Sequence, residues 1–92
     1  MTPNQIAVVI TRASKSMRVH PDRVMEKGKT DKPTTAARRL AFYYLFSHGD
    51  SIRSIAAVFK MGEDSVKRGI NHVKYRLDQY KAELAAIDGR EG

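Results

Sequence analysis

The chain has 92 residues, 17 of them Lys or Arg against 10 Asp or Glu, which leaves a net charge of +7. A chain this short builds one domain with a modest core and lacks the two halves that most enzymes use to frame a cleft. Cysteine is absent, so neither disulfides nor thiolate-held zinc can staple the fold, and the apolar run IAVVI near the N-terminus is too short for a membrane span or a signal-peptide core. The positive excess favours a polyanionic partner and is concentrated in residues 1 to 76, with 15 basic and 6 acidic side chains, against 2 and 4 in residues 77 to 92. A cytoplasmic, nucleoid-associated address in a bacterial or phage setting is expected, with no membrane contact.

In TPNQIAVVITRASKSM, Thr2, Pro3 and Gln5 read as N-cap, first helical position and third position of a capping box. Ile6, Val9, Ile10, Ala13 and Met17 recur at three- and four-residue steps, so the first helix is amphipathic. VHPDRVMEKGK suggests a short second helix, with Pro21 in the first turn, Asp22 at its positive end and Gly28 as C-cap. The basic loop KGKTDKP follows. Pro33 disfavours helix at Lys32, Thr34 or Thr35 then caps a third helix, and that helix ends at Gly49 with Leu40, Ala41, Tyr44 and Leu45 on its core face.

Ser51 is placed to cap a short fourth helix, IRSIAAVF, and Gly62 to begin a fifth that meets no break except Gly69 before about Ile87. No segment alternates with period two, so the expected fold is all-α, about five helices over residues 1 to 87, with a flexible tail at 88 to 92.

Residues 52 to 71 supply what a helix-turn-helix needs. Ile55 and small Ala56 sit at the helix crossing, Phe59 and Met61 bracket the turn, and Val66 with Ile70 anchor the second helix against the core. Lys60 falls where the chain often turns left-handed and Gly is common, a conformation Lys adopts at modest cost. With Val66 and Ile70 inward, Ser65, Lys67, Arg68 and Asn71 face outward. Arg68 suits guanine, Asn71 adenine, Ser65 a base or a phosphate, and Lys67 either groove or backbone. Lys27, Lys29, Lys32, Arg38, Arg39, Arg53, Lys60 and Lys74 are the backbone-phosphate candidates.

The segments AARRLAFYYL and SIRSIAAVF, with VHPDRVMEKGK before them, resemble the C-terminal duplex-binding domain of the bacterial replication initiator DnaA. They look like that family's PRQIAMYL and SLPEIGRAF, matching Arg38, Ala41 and Tyr43 in the first and Ser51, Ile52, Ile55 and Phe59 in the second. The resemblance spans residues 6 to 77 and implies a Trp-repressor-like helix-turn-helix that binds duplex DNA, with Lys27, Lys29 and Lys32 standing where the family's backbone-contacting loop lies. The departure falls on specificity. The family's GGRDHTTVLHA is represented by KMGEDSVKRG, in which Ser65 and Val66 survive while Met61, Gly62, Glu63 and Asp64 replace the box-reading positions. The initiator's target sequence does not carry over, and these 92 residues hold no counterpart of its ATPase domain.

Glu63 and Asp64 lie in the first turn of the fifth helix, where each carboxylate favours the helix dipole by about 0.3 to 1 kcal/mol. Either they never touch a base or a carboxylate accepts from cytosine N4, and in both readings they weaken attraction to non-specific duplex. Further along, Val66, Ile70, Val73, Leu77, Tyr80, Leu84 and Ile87 are spaced as a heptad seam. The seam folds either over the first helix or, through Leu77, Tyr80, Leu84 and Ile87, against a second copy in a homodimer. An enzyme is disfavoured. The GKT at Gly28 to Thr30 resembles the end of a phosphate-binding loop, but Arg23 stands at its first glycine, and His20, His48 and His72 fall on separate elements as surface or cap residues. No metal or cofactor is implied. The rival to a double-stranded DNA partner is an acidic protein partner bound by a small helical interaction module.

Overall fold

The computed structural model describes residues 1–26 and 31–89 and is all-helical among them. Six helices follow in order: α1 (Pro3–Ser16), α2 (Pro21–Met25), α3 (Lys32–Ser47), α4 (Ile52–Phe59), α5 (Glu63–Lys74) and α6 (Lys81–Asp88). No helix among the described residues is long and apolar enough to cross a membrane.

The helix starts follow local chemistry. Thr2 and Gln5 form the capping box expected of α1. α3 starts earlier than Pro33 suggested, because Asp31 rather than a threonine is its N-cap. The Asp31 carboxylate accepts from the backbone N–H of Thr34 at 3.3 Å and from its hydroxyl at 2.7 Å. Pro33 then occupies the first turn, where its missing N–H has no partner to lose. The hydroxyl of Thr34, followed by the Arg23 guanidinium, holds the Asp31 carboxyl below the usual carboxylate range.

The helix ends follow a recurrent motif. The N–H of Val19 donates to Ser14 O, that of Asp50 to Leu45 O, and that of Met61 to Ala56 O. Each skips back five residues across a residue of positive φ, at Arg18, Gly49 and Lys60, which is the Schellman closure.

α3 is the hub and packs against all five other helices. Its Ala37, Leu40, Ala41, Phe42 and Leu45 join Val9, Ile10, Ala13, Val24, Ile55, Phe59, Val66, Ile70, Val73 and Ile87 in one core. Phe42 meets Phe59 edge to face, with ring centroids 4.8 Å apart at 89°, and so locks α3 to the end of α4. Gly69 is the close-approach point between α3 and α5. A Cβ built there would lie 2.8 Å from Phe42 Cδ2 and 3.2 Å from Arg39 Cγ.

One long helix was expected from Gly62 to about Ile87, but α5 stops at Lys74 and residues 75 to 80 turn back before α6. A straight helix over those positions would run about 39 Å, longer than the molecule's greatest extent of 35 Å, and would carry Leu84 and Ile87 away from α1. Folding back buries Tyr80 and Ile87 and packs Leu84 against the core, while Leu77 stays exposed. The four residues therefore form no continuous seam. α6 lies on α1 within the chain. Arg12 Nη1 donates to Ile87 O at 3.1 Å, and the Tyr44 hydroxyl donates to Asp88 at 2.7 Å. Asp88, expected in the tail, is thus the last residue of α6, and Gly89 closes the helix in left-handed geometry.

Candidate nucleic-acid interface

α4, the turn at Lys60, Met61 and Gly62, and α5 form a helix-turn-helix in sequence and in contact. Ser51 caps α4 through its hydroxyl, which accepts from the N–H of Ser54 at 3.1 Å. Lys60 has φ 53° and ψ 45°, the left-handed turn position expected of it. A non-glycine residue there costs about 1–2 kcal/mol, which the Met61 to Ala56 closure and the half-buried Met61 side chain help offset.

On α5 the division between faces is clean. Val66, Gly69, Ile70 and Val73 are buried, while Ser65, Lys67, Arg68, Asn71 and Lys74 are exposed. Among the described residues no ion pair holds Lys67, Arg68 or Lys74, so their cationic heads are available to a partner. Glu63 and Asp64 are exposed in the first turn, and the N-cap Gly62 offers no side chain to it. Among the described residues, these two carboxylates are the acidic groups of the first turn of α5, at its positive end.

The backbone-contact candidates divide into three groups. Arg53, Lys60, Lys32 and Lys74 are exposed, and Arg39 is half-buried alongside α5. Lys27 and Lys29 lie outside the described residues. Arg38 must be reassigned. It is only 9% exposed, its Nε donates to Val24 O at 3.0 Å, and its Nη2 donates to Glu26 O at 3.2 Å. The five-residue α2 cannot satisfy its own last carbonyls, and Arg38 reaches under it to do so. Burial lowers the guanidinium's pKa while Asp31 acts the other way. Arg38 is therefore a strut between α2 and α3 rather than a phosphate contact.

The sequence reading missed a neighbouring feature. A groove of about 680 Å³ runs between α3 and the α5–α6 connection, lined among others by Lys32, Thr35, Arg39, His72, Gln79 and Glu83. Lys32, Thr35, Ala36 and Arg39 share one face of α3 at three- and four-residue steps, a pattern legible in the sequence. Their partners on residues 72 to 83 were not, because the expected straight helix would have carried them away. His72, expected at the surface or at a cap, is half-buried in this groove, with its ring 6.3 Å from that of Tyr80. His20 and His48 do serve as caps. His20 Nδ1 accepts from the N–H of Asp22, and His48 closes α3 with its ring stacked 4.0 Å from Tyr44. Just beyond α5, Tyr75 is 77% exposed between Lys74 and Arg76, a second basic and aromatic feature the helical reading hid.

No protein-family model matches the chain, and neither a curated protein nor a solved structure gives a significant match.

Proposed function

We propose that the chain is a sequence-specific double-stranded DNA-binding module that lays α5 in the major groove and regulates transcription or replication initiation. The observation that carries this reading is the outer face of α5. Ser65, Lys67, Arg68 and Asn71 stand exposed opposite Val66, Gly69, Ile70 and Val73, on a helix fixed by a short left-handed turn. Guanidinium and amide side chains are the groups that pair bidentately with guanine and adenine edges. Arg39, Arg53, Lys32 and Lys60 on flanking elements, with Lys74 at the end of α5, supply positive charge where duplex phosphates would run. The resemblance to the initiator's duplex-binding domain supports the same docking mode, and the acids at Glu63 and Asp64 imply a different target.

Selection of bound duplexes from a random pool tests the proposal. The expected outcome is a defined consensus, together with an affinity that falls steeply with salt, by about 0.9 in log–log slope per phosphate neutralised. Failure to enrich any sequence, combined with tight binding to an acidic polypeptide, would replace this reading with that of a protein-interaction module.

A further inference from the structure

The groove beside α5 collects positive charge that the protein does not neutralise. Lys32 and Arg39 line it from α3, Arg76 lies near it in the turn after α5 without lining it, and none of the three is ion-paired to a carboxylate among the described residues. Arg76 Nη1 donates to the backbone carbonyl of His72 at 3.1 Å, and its charge acts on the imidazole. Thr35 and Gln79 add neutral donors, Tyr80 a phenol, Met17 an apolar contact from α1, and Glu83 from α6 is the acid in the lining. Two cations and a titratable imidazole in the lining, with a third cation close by, match a singly charged oxyanion.

We infer that this groove seats a backbone phosphate of the bound duplex and that His72 takes up a proton when the phosphate arrives. This rests on the duplex-binding reading above. The proton comes from solvent and the phosphodiester remains a monoanion. In the free protein, burial first, then the Arg39 and Arg76 charges, hold the His72 pKa below its ordinary 6.5. A phosphate among those cations offsets their repulsion of imidazolium and raises that pKa. Linkage then requires the reciprocal effect, in which protonated His72 tightens phosphate binding. Affinity therefore increases as pH falls through the bound-state pKa and levels off below the free-state pKa.

The test uses the whole chain and a short labelled duplex of random sequence, followed by fluorescence anisotropy at constant ionic strength from about pH 8 to about pH 5. Binding should tighten several-fold as pH falls, by at most about ten-fold per pH unit for one proton. The His72→Gln variant should bind with little pH dependence, whereas His20→Gln should keep the wild-type profile. In the wild-type protein, NMR titration of the His72 ring should give a higher pKa with duplex than without. A flat wild-type profile, pH dependence surviving in His72→Gln, or an unmoved His72 pKa would overturn the inference while leaving duplex binding intact. Absence of duplex binding at every pH would overturn both.

Discussion

Replacing Gly69 by Ala should destabilise the protein even though alanine is the better helix former. In an exposed helix the change would gain about 1 kcal/mol. Here the new Cβ lies 2.8 Å from Phe42 Cδ2, 3.3 Å from Phe42 Cε2 and 3.2 Å from Arg39 Cγ. Carbon pairs are most stable at about 3.5 to 4.0 Å. The Arg39 stem can swing aside, but the Phe42 ring is 2% exposed and set edge-on against Phe59, so relief requires α3 and α5 to separate or Phe42 to leave its rotamer. Overpacking of this kind costs about 1–3 kcal/mol, which leaves a net loss of about 1 kcal/mol. Urea unfolding at unchanged m-value reads it, or a fall in Tm of about 4–8 °C. The same substitution in a Phe42→Leu background should be better tolerated, with a coupling of at least about 0.5 kcal/mol between the sites. A Gly69→Ala variant about 1 kcal/mol more stable than the parent, with no coupling to Phe42, would refute the close-approach argument.

Arg38→Met should lower stability by about 2–4 kcal/mol, because it removes charge-assisted bonds to two carbonyls at the end of α2. The duplex affinity of the folded fraction should stay close to the parent value, and a selective loss of affinity at full stability would return Arg38 to the DNA surface. Arg68→Ala should relax selection at one base step by about 1–3 kcal/mol, whereas Lys74→Ala should weaken all duplexes alike and reduce the salt slope by about one phosphate. Competition binding against the selected consensus separates the two effects. The double variant Glu63→Gln, Asp64→Asn should tighten binding to random duplex at low salt and lose that advantage as salt rises. An unchanged affinity at both salt concentrations would show that the two acids do not face the DNA.

The parts of the fold legible in the sequence are those governed by local chemistry. Thr2 and Gln5, Ser51, the apolar steps of α1 and α5, and the left-handed Lys60 each announce themselves within a few residues. The parts that were not legible depend on what the chain folds against. Arg38 looks like any surface arginine until α2 ends above it. Asp31 was overshadowed by two threonines because the reach of its carboxylate to Thr34 is visible only once the turn has formed. The turn at 75 to 80 contains neither Gly nor Pro, and local propensity favours continuing the helix. What wins is burial of Tyr80, Leu84 and Ile87 against the core, at about 25 cal/mol per Å² of apolar surface. The outward face of α5 followed from two inward residues and helical geometry, but the groove beside it depended on that turn and stayed hidden with it.

That turn also changes how the charge on α5 is to be read. Along the helix the acids Glu63 and Asp64 come first, Lys67 and Arg68 one turn later, and Lys74 with Arg76 at the far end, where the helix C-terminus itself favours cations. Because the chain folds back, Glu83 meets Lys32 and Arg39 at the groove instead of following further along the same rod. Arg76 lies one turn beyond His72 and donates to its carbonyl, and Lys32 and Arg39 approach from α3, so the positive charge is densest around the second half of α5. A polyanion meeting this surface is drawn to that half and repelled from the first turn. If a duplex docks on α5 as proposed, the acids would limit how far a mismatched one settles along the helix, without obstructing Arg68 and Asn71.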